Sequence, residues 1–241
     1  MKVLRSFVSI ALAAGLSAPV VYAQAHSPQL DAVLKKLNTA AANFRGVEAD
    51  VSNDTYERVV RDHSFDVGST YVKRSKKSLT MGVILFNLGP DNKPLKTPAK
   101  IIAYDGNVLQ YYVPGTGEYQ VLKAGANRAK YEVFLALAFG SSGDDLEKSW
   151  TIQDMGSEDV IDGTQTVKTE KLDLVSKDAS VRNWYTHVTI WVDPVRGVTL
   201  KQIFYAPSGD SRTTTYSNIR LKKDIDTRPY EISKDAHRIV R

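Results

Sequence analysis

No cysteine occurs anywhere in the 241 residues. Disulfide staples, thiol catalysis, iron–sulfur clusters and thiolate zinc sites are therefore excluded. Histidine is scarce: His26, His63, His187 and His237 are the only four, and no two stand in the H-E-x-x-H spacing of a helical zinc site. There is no G-x-S-x-G nucleophile elbow and no glycine-rich phosphate loop. Asp144, Asp145 and Glu147 lack the regular spacing of a calcium loop. They read better as the acidic first turn of a helix, where they complement the dipole. His187, beside Thr186, reads as a sheet-surface residue, His63 as a turn residue, and His237 as part of a loose tail. Asn53-Asp54-Thr55 fits a glycosylation sequon, which matters only in a eukaryotic secretory pathway. The expectation is a protein without catalytic residues, cofactor or metal.

A strong charge bias is also missing. The formal net charge is +5, a mild excess that argues against a dedicated nucleic-acid binder. Two of those charges, Lys2 and Arg5, sit in the first residues, MKVLRSFVSIALAAGLSAPVVYAQA. A basic start, an uncharged apolar run over 7–16, Pro19 and the small-residue pattern Ala23-Gln24-Ala25 make a secretory leader. Its apolar run is short for a bilayer core of roughly 30 Å. No later segment approaches the roughly 20 apolar residues of a spanning helix. The expected organisation is a leader over 1–25 and one exported, soluble domain over 26–241, with a bacterial periplasm as its compartment. Without disulfides that domain depends on its core, and its length suffices to build one.

Two kinds of pattern are present. Ser27 is a helix cap with Pro28 at the first position. Leu30, Val33, Leu34, Leu37, Ala41 and Phe44 then follow at helical spacing, ending near Asn43 and Gly46. After Gly46 the period becomes two. Strands are expected over 47–60, 64–73, 78–88, 99–104, 108–113, 119–122, 150–155, 158–161, 166–175, 185–192, 199–205 and 213–222. The turn signals between them include Asp62-His63, Asp105-Gly106, Asp162-Gly163, Arg196-Gly197 and Ser208-Gly209. Short connections make an antiparallel meander. Residues 128–139, RAKYEVFLALAF, interrupt it with a helix apolar nearly all round, which is buried or faces an apolar cavity. The tail from 224 onward is polar, with Tyr230 and Ile232 as its last anchors.

A sheet this long curls, because strands twist. LTMGVILFNL, over 79–88, is apolar on both faces and should be covered on both. Val188, Ile190 and Val192 give another strand one apolar, β-branched face. The fold class that follows is mainly β with some helix. One strongly curved antiparallel sheet forms an incomplete barrel, its concave apolar face covered by two or three helices. Leu85 of the doubly apolar strand, and Phe134, Leu135, Leu137 and Phe139 of the interrupting helix, are the candidate cavity and lid residues. Ordinary core packing explains the helix residues equally well.

Several segments resemble the periplasmic outer-membrane lipoprotein carriers, the LolA-like family. They are GSTYVKRSKK, IIAYDGNVLQYYVPGTGEYQV, VTIWVDPVRGVTLKQIFYAPSGDSRTTTYSNIRL and the closing DTRPYEI, and their order runs through nearly all of 26–241. The resemblance implies an incomplete barrel lidded by helices, whose cavity takes lipoprotein acyl chains or another lipid. It implies a monomer that receives cargo from an inner-membrane release complex and delivers it to an outer-membrane receptor, without catalysis. It also implies that Arg74, ending a strand after Lys73, faces the lid and governs its opening. A guanidinium suits that task, since it donates to several carbonyls at once. The family usually places proline after this arginine, where this chain has Ser75, Lys76 and Lys77; the two lysines read as a solvated turn. Distant relatives act as lipid- or lipoprotein-sensing domains, the alternative function. A cell-envelope hydrolase finds no supporting motif.

Overall fold

The computed structural model describes residues 27–74, 79–123, 125 and 137–239. The leader, Ser75 to Ser78 and most of the apolar stretch over 128–139, including Phe134 and Leu135, lie outside the described residues.

Helix α1 spans Pro28–Asn43. The Ser27 hydroxyl accepts the Leu30 N–H at 3.1 Å, satisfying one of the free donors at the helix start. Leu30, Val33, Leu34, Leu37 and Ala41 are buried, the stripe its sequence spacing requires. Six strands follow as a meander: β1 (Gly46–Glu57), β2 (Asp62–Arg74), β3 (Leu79–Asn87), β4 (Lys100–Tyr104), β5 (Val108–Val113) and β6 (Glu118–Lys123). Helix α2 (Gly143–Ser149) starts at a Ser142 cap and carries Asp144 and Asp145 in its first turn, as their sequence context indicated. A second meander holds β7 (Trp150–Asp162), β8 (Gln165–Ser176), the four-residue α3 (Ala179–Arg182), β9 (His187–Asp193), β10 (Val198–Tyr205) and β11 (Ser211–Leu221).

All belong to one twelve-stranded sheet in the order β12-β6-β5-β4-β3-β2-β1-β11-β10-β9-β8-β7, where β12 is His237–Arg238. The two meanders join where β1 pairs antiparallel with β11, and β7 and β12 end the sheet unpaired with each other. The sheet is thus mostly β, open and lidded on one face by helices, the expected fold class.

Three details differ from expectation. The first hairpin turns at 58–61, with Arg61 at φ +55°, while Asp62 and His63 already belong to β2. The Asp210 carboxylate accepts the Arg58 N–H at 2.8 Å and holds that turn, a contact no local pattern announces. Residues 150–162 make one strand, not two. A bulge near Gly156, at φ +84°, interrupts the alternation and imitates a turn. His237 sits not in a loose tail but in β12, which pairs in parallel with β6, the one parallel pairing among the described residues.

The core has two parts. In one, α1 and α2 press Leu34, Leu37 and Leu146 onto Leu172, Leu174, Val188 and Ile190 of β8 and β9. In the other, Val47, Val51, Val72, Leu79, Leu200 and Tyr216 gather below Phe139 and Phe44. Helix α1 therefore covers only one end of the concave face. Coverage of β3 is also uneven: Leu79, Gly82 and Leu85 are buried, while Thr80, Met81, Val83 and Ile84 are half-buried. Its outer face is met by Tyr230, in a single 3-10 turn over Arg228–Tyr230, so the C-terminal segment anchors where Tyr230 was expected to.

Candidate functional site

The uncovered part of the concave face forms a cavity of about 420 Å³. Alternation along the strands builds it. Every second residue of a strand faces the same side, so Val51, Val72, Met81, Val83 and Leu85 meet in one wall. Ile102 and Leu109 extend that wall on one side, and Tyr216, paired with Val51, and Phe204 continue it across β11 and β10. Ala138 and Phe139 close over it.

Leu85 is 4% exposed and lines the cavity. Phe139 is 1% exposed, lines it too, and meets the Tyr216 ring edge-on at 4.8 Å. Leu137 is instead packed into the first core part with α1 and α2. The segment carrying these residues is tied to the start of β10. Thr199 donates to the Leu137 carbonyl at 2.7 Å, Phe139 bridges Val198, and the Gly140 N–H reaches the Gly197 carbonyl at 3.0 Å.

Arg74, at the end of β2, donates through Nη2 to the Gly140 carbonyl at 2.7 Å. Its guanidinium carbon lies 5.6 Å from the Phe44 ring centroid. Gly140 has φ +77°, and a Cβ there would stand 2.7 Å from the Phe44 ring, so both conformation and space require glycine. Arg74, Phe44 and Gly140 thus form a clasp beside the residues that cover the cavity. The sequence pointed to Arg74 and Phe139 separately; that they meet one clasped segment was not readable.

Polar residues in the wall were missed. Asn53 and Thr214 face each other across β1 and β11, and Thr214 faces Gln202 across β11 and β10. All three are buried. Asn53, the sequon asparagine, donates to the Asp66 carboxylate at 2.6 Å and accepts from Thr214 at 2.7 Å. Lys100 pairs with that carboxylate at 3.1 Å. Gln202 Nε2 donates to the Tyr216 hydroxyl at 2.9 Å. Burial pushes the Tyr216 phenol well above its ordinary range. Arg212 lies at the rim, its guanidinium 5.2 Å from the Phe204 ring. Alternation alone puts 202, 204, 212, 214 and 216 on one face, but nothing in the local sequence says that face is a cavity.

His63 and His187 stand apart from this site. His63 is 2.7 Å from Asp54 on β1, and His187 stacks on Tyr205 at 4.2 Å on the sheet surface, as its context indicated. Among the described residues, no three His, Asp or Glu side chains gather where a metal ion could sit, and no helix is long and apolar enough to cross a membrane.

No protein-family model matches the sequence, and no curated protein matches it. Solved structures do. An uncharacterized conserved protein from Thermus thermophilus superposes with a TM-score of 0.52 at 9% identity, over 88% of this chain and 99% of that one. MucB superposes at 0.50 and 11% identity over 87% of this chain, which spans 65% of MucB. The LolA superfamily protein NE2245 from Nitrosomonas europaea is matched at 15% identity and a TM-score of 0.36, over 84% of this chain and 97% of that one. With its open twelve-stranded sheet and helices on the concave face, the chain shares the fold of the Thermus thermophilus protein and of MucB.

Proposed function

We propose that this protein is an exported lipid-binding carrier. In this reading, lipoprotein acyl chains enter the cavity and are ferried from the inner to the outer membrane, in the periplasm and without catalysis. The observation that carries the reading is the cavity itself. Its roughly 420 Å³ falls within the size range of ligand sites, and its walls are mainly aliphatic and aromatic. Each methylene taken from water into such a site contributes about 0.8 kcal/mol. Even a partly inserted acyl chain is therefore held firmly, unless the covering segment competes for the same surface. Arg74, Leu85 and Phe139 are the residues assigned to cargo and lid; Phe134 and Leu135 join them by their sequence position. Leu137, packed under the helices, supports the lid from behind.

A second reading is a sensing domain that binds a lipid or a partner protein. The likeness to MucB favours it: MucB shares the fold and has been solved in complex with MucA(peri). Native mass spectrometry of the protein recovered from its own cell envelope, followed by lipid extraction, separates the two. Co-purifying acylated lipoprotein is the expected result. Recovery with a protein partner and no acyl chain would replace the carrier with the sensor.

A further inference from the structure

The polar row in the cavity wall has a direction. At one end Lys100 pairs with Asp66. A carboxylate only accepts, so Asn53 must turn its amide nitrogen to Asp66 and its carbonyl toward Thr214. The Thr214 hydroxyl then spends its only proton on that carbonyl, leaving oxygen lone pairs at the far side. Next across the sheet is Gln202. It is 6% exposed and lines the cavity, yet its Oε1 has no hydrogen-bond partner among the described residues. Turning that amide over exchanges its two ends with respect to Tyr216 but still leaves one of them unpartnered.

A buried polar atom without a partner is rare, because leaving it so costs more than a made bond returns. An all-hydrocarbon chain lying in this cavity would cover Gln202 and gain nothing from it. A hydroxyl both donates and accepts, so it satisfies Gln202 in either orientation: it donates its one proton to Oε1, or, with the amide turned over, accepts from Nε2 and donates to the lone pairs of Thr214. We propose that Gln202, with Thr214 beside it, is a polar subsite that selects acyl chains carrying a hydroxyl group. The subsite rests on the cavity being a lipid site, and adds a preference among lipids that apolar walls alone cannot make. Apolar walls discriminate weakly against an added hydroxyl, whereas a site built to bond that group discriminates against its absence.

The test is a set of equilibrium titrations with 3-hydroxytetradecanoic and 12-hydroxyoctadecanoic acids, each against its unsubstituted parent. The two probes place the hydroxyl at different depths. The expected result is that at least one hydroxylated acid binds about five- to tenfold more tightly than its parent, the return of one buried hydrogen bond. In Gln202→Met, of similar length but without hydrogen-bonding atoms, that margin disappears and the parent acids bind at least as well as before. If the variant does not fold, the wild-type protein still decides. The side-chain amide resonances of Gln202 should move with the hydroxylated acid and not with the parent at equal saturation. Equal affinity for hydroxylated and plain chains, a margin that survives Gln202→Met, or unmoved amide resonances would overturn the subsite alone. Failure of every acyl chain to bind would instead overturn the lipid-binding reading, and the subsite with it.

Discussion

Substitution of Arg74 by leucine separates a clasp from a structural prop. Arg74 bonds the Gly140 carbonyl at 2.7 Å and lies against Phe44, and the residues just before Gly140 cover the cavity. A hydrogen bond from a charged donor contributes ~1.5–3 kcal/mol, and the half-buried position of Arg74 argues for the lower end. The contact with the Phe44 ring adds ~0.5 kcal/mol. Losing both removes about 2 kcal/mol from the closed state. If the closed segment must move for an acyl chain to enter, closure competes with cargo, and apparent affinity scales with the open fraction. Arg74→Leu should then bind a fluorescent long-chain fatty acid more tightly, by up to roughly 30-fold where closure dominates the free protein. Release to acceptor vesicles should slow accordingly.

The same loss should lower the midpoint of thermal unfolding of the free protein by about 4–8 °C for a chain of this length. Affinity and stability thus move in opposite directions. A prop with no part in gating would lose stability and bind no better, because its removal loosens the walls that cargo touches. Arg74→Lys keeps the charge but not the planar fork, and should fall between. Titration with the fluorescent acid and a melt of the unliganded protein, on the same samples, supply both numbers. Unchanged affinity together with a lowered midpoint would refute the clasp.

Two further outcomes follow from packing and from burial. Gly82 of β3 lies against Tyr71 and Tyr230, and a Cβ there would stand 2.6 Å from the Tyr230 Cβ. Gly82→Val should therefore detach the C-terminal segment, seen as faster amide exchange around Tyr230 and early proteolysis beyond 224, while acyl-chain affinity stays within twofold; an undisturbed tail would contradict this packing. The buried Tyr216 hydroxyl resists ionisation, so above about pH 10 the unfolded chain releases a proton that the folded chain keeps. Stability should be complete below that pH and fall as pH rises past it, and Tyr216→Phe should flatten the fall in urea melts taken between pH 9 and 11; equal slopes would assign the alkaline loss elsewhere.

The meanders, α1 and the acidic start of α2 were legible because each rests on contacts close in sequence: a cap, a 3.6-residue stripe, a period of two, a glycine turn. The failures come where a distant residue decides. The first hairpin closes at 58–61 through Asp210, and the short β12 exists because β6 has a free edge to receive it. The bulge at Gly156 broke a long strand's alternation, and alternation is the signal by which strands are read.

The candidate site shows the same division more sharply. Of its apolar members Leu85 and Phe139 could be named, because aliphatic alternation and an all-round apolar segment imply a covered face. Its polar row could not, because Asn53 and Thr214 belong to strands at opposite ends of the chain that meet only where the two meanders join. Read locally, Asn53 belongs to a surface sequon and Gln202 to an ordinary amphipathic strand. Their burial follows from the joint between β1 and β11, which turns both meanders' inner faces toward one space. The helices leave that space partly unfilled, since α1 spends its apolar stripe on β8 and β9. An open sheet with one short lid thus creates volume at its own seam, and residues brought together at a seam are those that no local reading pairs. If the cavity is the lipid site proposed for it, selectivity among cargoes is to be sought along the β1–β11–β10 joint, and control of entry at Arg74 and Phe139.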